Sequence, residues 1–321
     1  MGSKGSIFVL TKESNEHERN ERLNGGRRYV NNRVGEVSES ATLKIFASVV
    51  EMRGKGLEIT SLCVGEPDFN APPEVIAATC EAAESGKTKY TSNVGILPLR
   101  EAVKNDLNKR KGMDYSTSEI IVCNGAKQAC FQSLFATVGV GDKVIVPSPY
   151  YPSYPEMVKL IGGKVVYLET DISEDYKITG EKLSACLGEN PDAKVLMLCN
   201  PSNPTGSLHT KSDLEAIAGV LSEPRFEQIN IVSDEIYERL CYGPDEHVTF
   251  AKIKGMRERT LTVNGWSKSH AMTGYRLAYL AAPKEFIDTV NTIQGQVTGC
   301  ASAISQHAAV AGKRNDEASR W

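Results

Sequence analysis

Five short segments of this 321-residue chain carry side chains that could act on a small molecule. Lys268 stands in a run of polar and small residues, Asn264-Gly265-Trp266-Ser267-Lys268-Ser269, directly after an apolar stretch. A deprotonated amine in a partly desolvated pocket attacks carbonyl carbon. Gly125-Ala126-Lys127 opens a helix-like stretch, where backbone N–H groups at the positive end of the helix dipole bind phosphate. Asp234, with Tyr237 three residues on, follows a second apolar run; Asn203-Pro204-Thr205-Gly206 follows a third; Arg276 lies eight residues beyond Lys268. Each segment alone has an ordinary reading: the glycine turn and Asp234 as helix caps, the Asn-Pro-Thr-Gly run as a turn, and Lys268 as a surface charge. Their order along the chain argues for one shared site.

Such residues act together only if the fold gathers their segments at one edge. Short apolar runs at 120–123, 143–147, 164–169, 194–199, 229–233, 260–263 and 276–282 read as strands. Helix-like stretches at 126–138, 155–161, 210–221 and 284–294 separate them. The pattern predicts an α/β fold with a mainly parallel seven-stranded sheet sandwiched by helices, whose functional loops follow the carboxyl ends of the strands. Upstream, Leu43, Phe46, Ala47, Val50 and Met52 suggest a helix, and 58–64 an extended segment ending at Gly65. Residues 1–35 read as a flexible arm, because 11–35 is almost continuously polar.

Composition narrows the function. A chain with 40% hydrophobic residues buries a large core, and 37 basic against 40 acidic side chains leave no broad field of one sign for nucleic acid or an anionic membrane. The eight cysteines stand singly within or beside apolar runs and read as reduced and buried, while the five histidines lack metal-ligand spacing, so no metal is expected. No apolar stretch reaches the roughly 20 residues that span a bilayer, and no secretory signal opens the chain, which points to the cytoplasm, with an organelle as the alternative. Met1-Gly2-Ser3-Lys4-Gly5-Ser6 fits the loose N-myristoylation pattern.

Taken together, Gly65-Glu66-Pro67-Asp68-Phe69, Lys89-Tyr90-Thr91, Asn124 to Gln128, Pro149-Tyr150-Tyr151, Asn200 to Gly206, Ser233-Asp234-Glu235-Ile236-Tyr237 and Ser267-Lys268 through Tyr275-Arg276 resemble the class I aminotransferases of fold type I, which use pyridoxal 5'-phosphate, and within them the aspartate and prephenate aminotransferases. The resemblance runs from about Ser38 to Gly312. It implies that Lys268 carries the cofactor as a Schiff base and moves the Cα proton, while Asp234 pairs with the ring nitrogen. It implies that Tyr237 and Asn203 bond the phenolic oxygen and Tyr151 stacks on the ring. Ala126, Lys127 and Arg276 would hold the phosphate. Tyr90 would reach the phosphate of a neighbouring subunit, so a homodimer with composite sites is expected. Gly65, Asn203, Tyr151 and Thr42 would face the amino-acid or 2-oxo-acid substrate; Thr42 and Lys127 match the wording of prephenate-using relatives.

The resemblance divides the chain into the arm, an N-terminal part of the small domain over 36–80, a large cofactor domain over 81–305, and a divergent tail over 306–321. Relatives run on for roughly 80 to 100 residues more, a length suited to the rest of a small domain, with the arginine that clamps the substrate α-carboxylate. The expectation is therefore a C-terminally shortened chain, with an incomplete small domain, that folds poorly or turns over slowly. A lyase or synthase on the same fold, and an inactive partner that dimerises with a longer relative, are the competing readings.

Overall fold

The computed structural model describes residues 31–314. Residues 1–30, with most of the expected arm and the lipidation pattern, and residues 315–321 of the expected tail lie outside the described residues. Ten α-helices and seven strands, joined by short 3-10 and π turns, make up the regular structure among the described residues: α1 Asn32–Gly35, α2 Ala41–Gly54, α3 Pro73–Glu84, α4 Leu97–Asn105, β1 Ile120–Cys123, α5 Ala126–Thr137, β2 Lys143–Ser148, α6 Ser153–Ile161, β3 Lys164–Glu169, α7 Gly180–Glu189, β4 Val195–Cys199, α8 Lys211–Leu221, β5 Asn230–Asp234, β6 Thr260–Gly265, β7 Ala278–Ala281, α9 Lys284–Val297 and α10 Ala303–Arg314.

The strands form one sheet in the order β1-β7-β6-β5-β4-β2-β3. The pairs β2–β3, β2–β4, β4–β5 and β5–β6 are parallel, and β7 runs antiparallel to both β1 and β6. The strands are legible as unbroken apolar runs because both faces are covered, so successive residues are buried on opposite sides. Along β4, Val195 and Met197 join one core cluster and Leu196 and Leu198 another. The first cluster lies under α5, α6 and α9, through Ala129, Leu134, Tyr154, Val158, Ile287 and Val290. The second packs α7 and α8 through Leu183, Leu187, Leu214 and Ile217. A third joins α3, α4 and α10 to β1 and β7 through Val75, Leu99, Val103, Ala308 and Ala309.

Several elements depart from the reading of the sequence. Helices α3, α4, α7 and α10 are additional; α3 and α10 each carry four alanines in twelve residues, and alanine's small apolar surface gives a weak periodic signal. Small residues let these two helices approach closely: a Cβ on Gly312 would lie 3.1 Å from Cγ2 of Val75. The start of the expected tail is thus packed into a core. The segment 58–64 forms no strand, since the sheet closes at β1 and β3 without it, and Leu62 is 95% exposed. At the end of the expected arm, α1 is capped by the Asn31 side chain, and Arg33 reaches the carbonyl of Ile161 at 3.5 Å. No described helix is long and apolar enough to cross a membrane.

Candidate active site

The carboxyl ends of β1, β2, β4, β5 and β6 open on one side of the sheet, and Asp234, the last residue of β5, forms the floor there at 6% exposure. Its Oδ2 accepts hydrogen bonds from the hydroxyl of Tyr154 at 2.8 Å and the thiol of Cys130 at 3.5 Å. Its Oδ1 accepts the backbone N–H of Ile236 at 3.2 Å. Burial raises the carboxyl pKa, opposed by these donors. Among the described residues every hydrogen-bond partner of Asp234 is neutral, and no ion pair engages it. A buried carboxylate supplied only with neutral donors favours a cation brought by a ligand.

Around this floor stand the groups that come after the neighbouring strands. The Nδ2 of Asn203 donates to the hydroxyl of Tyr237 at 3.0 Å, joining the loops after β4 and β5. Burial raises the Tyr237 pKa, so the phenol stays protonated. Lys268 is half-buried, with its Nζ 6.0 Å from the centre of the Tyr237 ring and bonded to the carbonyl of Gly65. Burial lowers its pKa; the carboxylate of Glu66 opposes this, and the guanidinium of Arg276 adds to it. Glu66 is itself held by the hydroxyl of Thr273 at 2.6 Å.

The third part is an anion-binding corner. Gly125 caps α5 at φ 89° with no side-chain cap, so the first N–H groups of the helix, from Ala126 and Lys127, lack the usual side-chain acceptor. A side chain at 125 is strained by the positive φ, and a Cβ there would lie 2.3 Å from Nη2 of Arg276, so the guanidinium would have to move aside. Arg276 adopts the left-handed conformation at φ 52°, anchored by Nη1 donating to the Thr273 carbonyl at 3.0 Å. One guanidinium and one helix start therefore face the same small space. Tyr151 presents its ring nearby, 5.4 Å edge-on from Tyr154 and 5.5 Å from the Nζ of Lys127.

Two expected residues stand apart. Thr42 lies half-buried on α2, and Tyr90 is 100% exposed; among the described residues neither bonds to the Lys268–Asp234 group. Gly65, expected to face the substrate, presents its carbonyl to Lys268. Tyr154, Cys130 and Glu66 were given no role from sequence. Tyr154 could have been found as the residue one helical turn beyond Tyr151; a cysteine in an apolar helix carries no such signal.

On the other side of β5 the neighbouring carboxylate is treated differently. Glu235 is fully buried and accepts hydrogen bonds from Thr249 (2.8 Å), the Phe250 N–H (3.1 Å) and Ser233 (3.1 Å). The ammonium of Lys111 bonds Glu235 at 3.2 Å and also Glu238, whose other oxygen takes Arg110 at 2.7 Å. Glu235, Glu238 and His247 converge closely enough to bind a cation, and the Lys111 ammonium already bridges the two carboxylates.

The family model for class I and II aminotransferases matches residues 58–320, including most of the tail expected to diverge. The chain is 44% identical over 279 residues to a bifunctional aspartate aminotransferase and glutamate/aspartate-prephenate aminotransferase of Petunia hybrida, covering 87% of this chain and 57% of that protein. It is 42% identical over 280 residues to an aspartate aminotransferase of Pinus pinaster, covering 87% and 56%. The chain thus spans little more than half the length of these two relatives. The aspartate aminotransferase of Thermus thermophilus solved with maleate superimposes with a TM-score of 0.86 at 39% identity, over 92% of this chain and 75% of that one. With the sheet order, the strand-end residues and these matches in agreement, the chain belongs to the class I and II aminotransferase family.

Proposed function

We propose that this chain binds pyridoxal 5'-phosphate and transfers the amino group of an amino acid to a 2-oxo acid, with aspartate as the first donor to test and prephenate or another dicarboxylic or aromatic-type acid as the second. The observation that carries this reading is Asp234, a buried carboxylate met among the described residues by neutral donors, with the half-buried amine of Lys268 standing 6.0 Å from the centre of the nearby Tyr237 ring. A cationic ring nitrogen is the ligand group that matches it. Lys268 would hold the aldehyde carbon, Asp234 the ring nitrogen, and Asn203 and Tyr237 the phenolic oxygen. Tyr151 would cover the ring, and Ala126, Lys127 and Arg276 would take the phosphate.

When bound, the cofactor supplies an aldehyde for the reacting amines and a ring that takes up the electrons left at the substrate Cα. The chain's own residues do the rest. Lys268, with its pKa lowered by burial, exchanges a proton with Cα through Nζ. Asp234 would pair with the ring nitrogen and favour its protonated form, and Asn203 and Tyr237, bonded to each other at 3.0 Å, would hold the phenolic oxygen. Gly65 and Thr42 would line the substrate side. The complete exposure of Tyr90 supports a second copy of the chain as the partner that this side chain serves.

Borohydride reduction in saturating pyridoxal phosphate, followed by peptide mass mapping, tests the assignment. The reduced adduct is expected on the peptide containing Lys268, together with a visible absorbance that vanishes in Lys268→Ala. An unmodified Lys268 peptide would sink the reading. Incubation with aspartate and 2-oxoglutarate is expected to yield oxaloacetate and glutamate; release of pyruvate or ammonia instead would favour a lyase.

A further inference from the structure

Nothing in the proposed reaction uses Tyr154, yet it is the group most closely engaged with Asp234. It sits on the first turn of α6, 3% exposed, and its hydroxyl reaches across to β5 over a separation of 80 residues. The thiol of Cys130, from α5, meets the same oxygen, Oδ2, while Oδ1 among the described residues takes a backbone N–H. Three elements thus converge on one carboxylate, and the two side-chain donors crowd on one side of it.

We propose that Tyr154 is a positioning residue for the reaction: its hydroxyl, seconded by the Cys130 thiol, pins Oδ2 of Asp234 so that the carboxylate stays ionised and turned towards the ring nitrogen of the cofactor. The inference rests on the pyridoxal phosphate reading above. A charged carboxylate in a desolvated floor needs donors that keep their protons, and both groups qualify. Burial pushes the phenol of Tyr154 and the thiol of Cys130 well above their ordinary ranges. The ring of Tyr154 is fixed independently, by the edge-on contact with Tyr151 and by its place in the core, so the hydroxyl is held in line with little freedom. Hydrogen bonds to a charged group are the strong ones, and losing one lets the carboxylate rotate or take up a proton.

The test is a double-mutant cycle on cofactor affinity, read by fluorescence of the holoenzyme. Tyr154→Phe keeps the ring and removes the donor, and is expected to weaken pyridoxal phosphate binding about tenfold. In an Asp234→Asn background the same change is expected to do almost nothing, because the charge it serves is gone. Cys130→Val, which keeps size without a donor, is expected to show the same pattern at about twofold to threefold. A merely structural role would instead give equal losses in both backgrounds, and that additivity would overturn the inference. Borohydride mapping of Lys268 in each variant separates the two levels: no adduct in the unaltered chain defeats the cofactor reading itself, whereas an adduct with additive losses defeats only the role of Tyr154.

Discussion

Two carboxylates adjacent in sequence, at the end of one strand, meet opposite surroundings. Glu235 is buried on the side where Lys111 and Arg110 approach, and the ionic cluster there carries its own cations. Asp234 is buried on the side of α5 and α6, where, among the described residues, a phenol, a thiol and a peptide N–H reach its carboxylate. A charge buried with its partner belongs to the architecture, while one buried without it costs free energy that a ligand can recover. The difference separates a carboxylate supplied with cations from one left with neutral donors within two residues.

The contrast can be broken most severely at Lys111. Replacing it with methionine leaves two buried carboxylates short of a cation, and unfolding in denaturant is expected to show a loss of about 3–5 kcal/mol. Asp234→Asn in the cofactor-free chain is the counterpart, expected to be neutral or stabilising. Equal losses from the two would show that both sides are structural. Next in size, Asp234→Ala is expected to slow exchange of the aspartate Cα hydrogen with deuterated solvent by about 10²–10³-fold in the holoenzyme. Unchanged exchange measured by NMR would remove Asp234 from the reaction.

A smaller effect is expected at His209, a buried titratable group. Its Nε2 accepts the N–H of Ile178 at 2.9 Å, and burial lowers its pKa to about 4. The unfolded chain takes up the proton near pH 6.5, so stability is held above that pH and lost as the pH falls towards 4, by at most about 3 kcal/mol. His209→Gln is expected to flatten this slope. A variant whose unfolding free energy keeps the same pH dependence would place the titration elsewhere.

The strand-end residues were legible in sequence for a definite reason. A two-sided sheet makes strands into unbroken apolar runs, and a largely parallel sheet gathers the loops after those runs at one edge, so Asn203, Asp234, Tyr237 and Lys268 could be grouped before any contact was known. The partners of these residues were not legible. Tyr154 and Cys130 reach Asp234 from helices whose rotation about their own axes is set by packing, and Arg110 and Lys111 look like solvated charges in a polar stretch. Alanine-rich α3 and α10 escaped because alanine weighs little in a hydrophobic pattern, although the core clusters beneath them are fully buried.

What the order of residues determined by itself was which side chains stand at the carboxyl edge, because strand periodicity and short loops are local properties. Tertiary structure alone decided which of two neighbouring carboxylates receives a cation. Lys111 meets Glu235 across a separation of 124 residues, and such a pairing depends on how distant segments pack on the two faces of the sheet. Burial then converts that accident of sidedness into chemistry, since away from water a charge is governed by the few groups that touch it.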